Sequence, residues 1–311
     1  MRFSSLAKAF VLLVIVGGTA AFVLTMPSRI PASALPSRQA DLANGETMFN
    51  VGGCASCHAT PHQGDRKRLG GGLALATSFG TFRAPNISSD PHYGIGTWSE
   101  DDFVNAMKKG LGRGSEHLYP AFPYTSYQRM RLDDVRDLYA YLRTLPAVQT
   151  PSQPHDLTFP FTVRRGLGLW QLLYVDGKAL TPDSSKDAVW NRGAYLVEGP
   201  GHCAECHSPR NLIGGIDADR RFAGGPDPTG KGWVPNITPS PDGIPDYSVK
   251  DIAYLLETGF TPDFDSVGSS MADVVKNTSK LSAGDRLAIA TYIKSLPPRS
   301  GKAPAKGDKH D

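Results

Sequence analysis

The stretch "GGCASCHAT", residues 52–60, sets two cysteines three positions apart with a histidine directly after the second. Cys54 and Cys57 stand about one helical turn apart, so both thiols can reach the two vinyl groups of one porphyrin. His58 then offers its imidazole to the iron as proximal ligand. A zinc site would need two further ligands. Taken alone, the pattern is short enough to arise by chance in a loop that carries two thiols and an exposed histidine.

A second copy removes that reading. "GHCAECHSP", residues 201–209, supplies Cys203, Cys206 and His207, and Cys203 lies 149 residues beyond Cys54. These four are the only cysteines of the chain, so none remains for a disulfide or a separate zinc site. The pair of motifs predicts two covalently bound haem c groups, with thioethers from Cys54, Cys57, Cys203 and Cys206 and iron ligation by His58 and His207.

The sequence after each motif runs in parallel. "APNISSDPHYGIGTWSEDDFVNAMKKG" ends at Gly110 and "VPNITPSPDGIPDYSVKDIAYLLETG" ends at Gly259, again 149 residues apart. Both open with Pro-Asn-Ile and a hydroxyl residue. Both then start a helix with a short-acid capping box, Ser99 with Asp102 and Ser248 with Asp251. Apolar residues follow at helical spacing, and each helix stops at glycine. "LDDVRDLYAYLRTLP" and "LSAGDRLAIATYIKSLP" form a further pair, with Tyr141 matching Tyr292. Short candidate helices around Gly45–Val51 and Asn191–Val197 precede the two motifs. Each half reads as three or more short helices around one haem, an all-α, loop-rich layout of two tandem class I cytochrome c domains.

At 311 residues the chain has room for two domains of about 100 to 150 residues. Its net charge of +3 is too small to suggest a nucleic-acid partner. The 33 glycines and 25 prolines imply much loop, for which a buried haem would supply the missing apolar mass. At the N-terminus Arg2 and Lys8 precede an uncharged run from Ala9 to Ser28, near the length of a membrane helix. Basic residues ahead of it put the N-terminus in the cytoplasm and the rest outside. A cleaved signal peptide is the rival reading, since Ala32-Ser33-Ala34 resembles a small-residue cleavage site. The divisions expected are a signal or anchor at 1–34, a first domain at 40–148, a linker at 149–185, a second domain at 186–298 and a polar, disordered tail at 299–311 that contains His310.

The sixth iron ligand is the remaining question. Methionine favours the ferrous state and raises the potential. In the second half Met271, in "GSSMADVVKNTSKLS" on a glycine- and serine-rich approach to the last helix, is the choice. In the first half Met107 aligns with Leu256 on a helix face and reads as core. Met130 aligns with Leu281 rather than with Met271 and is carried as the candidate ligand, with His62, His92, His117 or an open iron as alternatives. Arg164 and Arg165 read as a solvated pair or as partners of haem propionates. Trp170, Leu169, Leu172 and Leu173 are expected to pack between the domains, with a partner-docking surface as the alternative.

Over roughly residues 40–298 the chain resembles the cytochrome c subunits of membrane-bound bacterial dehydrogenases that serve alcohol, gluconate and related periplasmic oxidations. The resemblance is carried by the two CxxCH motifs, "APNISSDPHYGIGTWSEDDF", "HLYPAFPYTSY", "LTFPFTVRRGLGLWQLLY" and "WNRGAYLVEGPGHCAECHSPRNLIGG". It implies an electron-transfer subunit rather than an enzyme. A dehydrogenase catalytic subunit would be the donor and quinone or a terminal oxidase the acceptor, on the periplasmic side of the inner membrane. Two departures stand out. The alcohol-oxidising subunits carry three haem domains where two are read here, and Phe122 in "YPAFPY" takes the place of a methionine common in the family. Phenylalanine cannot ligate iron, so a dihaem peroxidase or a sulfur-compound oxidoreductase with one open haem stays as an alternative; a free electron shuttle is a further one if the N-terminal segment is cleaved.

Overall fold

The computed structural model describes residues 2–227 and 232–301. In chain order the helices are α1 (Arg2–Leu24), α2 (Leu42–Val51), α3 (Cys54–His58), α4 (Glu100–Lys109), α5 (Tyr124–Tyr127), α6 (Leu132–Leu142), α7 (Leu167–Tyr174), α8 (Ala188–Glu198), α9 (Ala204–His207), α10 (Val249–Thr258), α11 (Ser269–Thr278) and α12 (Ala283–Lys294). Among the described residues five short strands join them: β1 (Ala74–Thr77), β2 (Gly80–Arg83), β3 (Asp156–Leu157), β4 (Gly225–Pro226) and β5 (Trp233–Val234). The fold is mainly helical as expected, but the strands correct a purely all-α reading.

The two main helix pairs, α2 on α6 and α8 on α12, are built alike. An aspartate caps each first helix: Asp41 accepts from the Asn44 amide at 3.0 Å and Asp187 from that of Trp190 at 2.7 Å. Each pair crosses at a glycine. A Cβ on Gly45 would lie 2.3 Å from the Asp137 carbonyl oxygen, and one on Gly193 would lie 1.9 Å from that of Ala288. Only a residue without a side chain permits so close an approach. Beside each crossing a tyrosine donates to a glutamate, Tyr141 to Glu46 at 2.8 Å and Tyr292 to Glu198 at 2.7 Å. Helices α4 and α10 carry the capping boxes read from the sequence, and both end on a left-handed glycine, Gly110 and Gly259.

A hairpin precedes each Pro-Asn-Ile. β1 and β2 pair antiparallel with Leu75 opposite Phe82, and β3 adds Asp156 opposite Thr81. β4 and β5 pair with Gly225 opposite Val234. The asparagine then ties the outgoing loop to the chain beyond the last helix of its half. Asn86 donates to the carbonyls of Val148 (2.7 Å) and Thr150 (2.8 Å), and Asn236 to that of Arg299 (2.7 Å). Each side-chain oxygen accepts the amide two residues on, from Ser88 and Thr238. Residues 299–301, expected within the disordered tail, are therefore bonded to the second half: Ser300 also donates to Asp242 at 2.9 Å. The rest of that tail, His310 included, lies outside the described residues.

The segment between α1 and α2 is fastened to the first half. Arg29 donates to Asp102 at 2.7 Å, and the Ile30 backbone exchanges two hydrogen bonds with the Asn105 side chain at 2.8 and 2.9 Å. Arg165 closes the C-terminal end of α1, donating to the Phe22 carbonyl (2.8 Å) and the Thr25 hydroxyl (3.1 Å). Arg164 donates to the His117 carbonyl at 3.1 Å and lies over the Tyr119 ring. The two arginines thus bind protein groups, where a solvated pair or partners of haem propionates were expected.

Candidate functional site

Each CxxCH histidine is held by the loop its hairpin delivers. His58 Nδ1 lies 2.8 Å from the Pro85 carbonyl oxygen, and His207 Nδ1 lies 2.8 Å from that of Pro235. The carbonyl fixes the tautomer with the proton on Nδ1 and leaves Nε2 as the nitrogen for a metal. Burial lowers both imidazole pKa values, the proline carbonyl opposing it, so the rings stay neutral. A further bond locks each backbone, from the Gly71 amide to the His58 carbonyl and from the Gly224 amide to the His207 carbonyl, both 2.8 Å. None of these carbonyl roles was legible in the motifs, although the repeated Pro-Asn-Ile was their trace.

The thiols flank these rings on α3 and at the start of α9. Desolvation pushes the Cys54 and Cys203 thiols up to about 12. Among the described residues no three of His, Cys, Asp and Glu converge as a metal site. A pair of thiols beside one oriented imidazole, twice over, fits a covalently attached iron porphyrin and does not fit a zinc centre.

The distal sides differ. Isolated bridges join Leu111 to His117 and Phe260 to Ser266, and these set the register between the halves. The Leu118 amide bonds the Gly110 carbonyl, as the Val267 amide bonds that of Gly259. In this register Phe122 stands where Met271 stands. Met271 lies on the first turn of α11, an unforeseen helix, half-buried against the apolar core. Phe122 is half-buried against the same core, its ring 5.4 Å from that of Tyr127. Met130 and Met107 are buried in that core. His117 has both ring nitrogens engaged, by Gln171 at 2.6 Å and the Thr25 carbonyl at 2.9 Å, so it offers iron no free nitrogen. His62 and His92 are exposed.

The two attachment loops meet. His202 Nε2 lies 3.2 Å from the Gly52 carbonyl oxygen, which also accepts from the Tyr127 hydroxyl at 3.2 Å. Glu205, inside the second motif, accepts from Thr125 (2.7 Å), Ser126 (2.8 Å) and Arg210 (2.7 Å). Burial pushes its carboxyl up, but these donors outweigh it and hold it below its ordinary range. Ser56, inside the first motif, accepts from Asn277 of α11 at 2.7 Å. Each motif is therefore clasped by the other half, Glu205 by α5, which follows Phe122, and Ser56 by α11, which carries Met271. Sequence reasoning missed His202 and Glu205, since nothing local marks a contact 150 residues away.

Such a pair of sites defines a carrier of covalently bound redox iron. Residues 42–146 match the Cytochrome c family. The chain is 47% identical over 287 residues to the "Diheme cytochrome c-type" of Cereibacter sphaeroides, covering 92% of this chain and 96% of that one. It is 34% identical over 273 residues to the "Fructose dehydrogenase cytochrome subunit" of Gluconobacter japonicus, covering 87% and 55% respectively. It is 37% identical over 268 residues to the "Alcohol dehydrogenase (quinone), cytochrome c subunit" of Komagataeibacter europaeus, covering 82% and 55%. This chain thus spans about half the length of those two dehydrogenase subunits. It belongs to the cytochrome c family.

Proposed function

We infer that the chain is a dihaem electron relay, with one haem c on Cys54, Cys57 and His58 and the other on Cys203, Cys206 and His207. The observation that carries this is the duplicated cradle: the same histidine-to-proline-carbonyl bond, at 2.8 Å, beside the same cysteine pair. Haem supplies an iron that takes up and releases one electron at a time. The protein's part is to orient each imidazole through the proline carbonyl, to bury the porphyrin face and to hold the halves together through Glu205 and Ser56. Met271 is the sixth ligand of the second haem. Met130 is the thioether proposed for the first, because Phe122, at the place equivalent to Met271, cannot ligate iron.

The dehydrogenase subunits among the relatives make a dehydrogenase catalytic subunit the proposed donor, with quinone or a terminal oxidase as acceptor. The chain is proposed to sit on the periplasmic side of the inner membrane, anchored by α1. Retention of α1 is supported by Arg29 and Ile30, whose bonds to Asp102 and Asn105 cleavage after Ala34 would remove.

A redox titration tests the ligand set. Met271→Ala should lower the potential of one haem and leave the other, because the thioether favours the ferrous state. Met130→Ala should lower the other. Unchanged potentials in Met271→Ala would overturn the assignment for the second haem, and unchanged potentials in Met130→Ala would leave the first iron open or differently ligated.

A further inference from the structure

Helix α7 is amphipathic in the inverted sense. Its inward side presents Gly168 and Gln171, the latter only 8% exposed and bonded to His117 and to the Gly110 carbonyl. Its outward side presents Leu169, Leu172 and Leu173 at 48, 55 and 67% exposure. A helix in water places its apolar stripe toward the core, and the sequence led us to expect these leucines between the domains. Trp170 does this, donating to the Ile213 carbonyl at 2.9 Å and packing near Tyr124, and Leu173, though mostly exposed, edges the same hollow beside Ser126 and Glu205. The loop ahead of α7 adds Phe159 and Val163, both exposed.

The solvent such a face suits is fixed by what lies beside it. The apolar span Ser4–Leu24 of α1 ends against α7: a Cβ on Gly168 would meet the Thr25 side chain at 2.6 Å. Thr25 is buried, its carbonyl bonded to His117, and Arg165 from the turn leading into α7 caps the α1 terminus. The end of the apolar span of α1 is thus the point where α7 begins. We propose that the outward face of α7 is a membrane-seating surface, its three leucines sunk at the level of the lipid headgroups and upper acyl chains. It is continuous with the exit of α1 and holds the haem-bearing halves at a set height and tilt. The proposal rests on α1 being retained as an anchor.

The test uses the full, haem-loaded chain without partner proteins, reconstituted in bilayers of phosphatidylethanolamine and phosphatidylglycerol that contain a lipid with a photoactivatable group high on its acyl chain. Adducts are mapped by peptide mass spectrometry. The result expected is lipid adducts on both α1 and residues 167–174. Changing Leu169, Leu172 and Leu173 together to serine should remove most of the α7 adducts and leave those on α1. Adducts on α1 alone overturn the proposal while the anchor stands, as does labelling of α7 that survives the triple change. Adducts on α7 in a chain that has lost α1 support the surface and overturn the anchor, and adducts on neither overturn both.

Discussion

Gly53 and His202 occupy equivalent places, directly before the first cysteine of each motif, and both hold a left-handed backbone with φ of +57° and +39°. That conformation suits glycine and costs about 1–2 kcal/mol for a residue with a Cβ. Gly53→Ala has room, its Cβ meeting nothing nearer than the Asn277 amide at 3.6 Å, so its cost should be the backbone's own, about 1 kcal/mol by denaturant titration. His202 accepts the same strain in return for its contact with Gly52 and an edge-on approach to Tyr127 at 5.5 Å. His202→Ala keeps the strain and loses the contacts, whereas His202→Gly loses the contacts and releases the strain. The glycine variant should therefore be more stable than the alanine one by about 1 kcal/mol, and unfold at a higher temperature. The reverse order would show that the backbone there is relaxed.

At the level of elements, the crossings at Gly45 and Gly193 set the spacing of both helix pairs. Alanine at either would press a methyl on a backbone carbonyl, and about 1–3 kcal/mol of destabilisation is expected, read as a lowered midpoint in thermal unfolding. Asp137 on α6 receives Arg38, the Asp41 amide and Asn44, and so fastens the approach to α2. Burial raises its carboxyl pKa, but the Arg38 and Asn44 bonds prevail and hold it below the usual carboxylate range. A carboxyl lower in the folded than in the unfolded state stabilises fully above its unfolded value and loses that contribution as pH falls through the folded one. Acid should thus weaken the protein below about pH 4, and Asp137→Asn should be less stable at neutral pH with a shallower loss toward acid. Identical acid profiles would remove Asp137 from this role. The capping boxes of α4 and α10 were legible because both partners of each lie within four residues. The tether of Asn86 was not, since its acceptors lie more than sixty residues on. The leucines of α7 were misplaced for a related reason: helical spacing finds an apolar face but does not say which medium covers it.

Across the whole molecule, two repeats clasp each other through their CxxCH motifs, so the proposed redox sites and the interface are one structure. Glu205→Ala would strand Arg210, Thr125 and Ser126 around a vacated buried charge, with an expected loss of about 3–5 kcal/mol in thermal or denaturant unfolding. A loss below about 1 kcal/mol would mean that the clasp is dispensable. The repeat itself was plain in the sequence, because both copies keep their punctuation. The clasp was not, because it joins residues that share no local pattern. The central claim is that each cysteine pair carries its own haem, and intact-mass spectrometry on the full chain from a host with haem-attachment machinery tests it most directly. The wild-type chain should carry two covalent haems, and Cys203→Ala with Cys206→Ala should carry one, held on the peptide that contains Cys54 and Cys57. A wild-type chain with fewer than two haems, or a double variant that still holds two, would contradict the account.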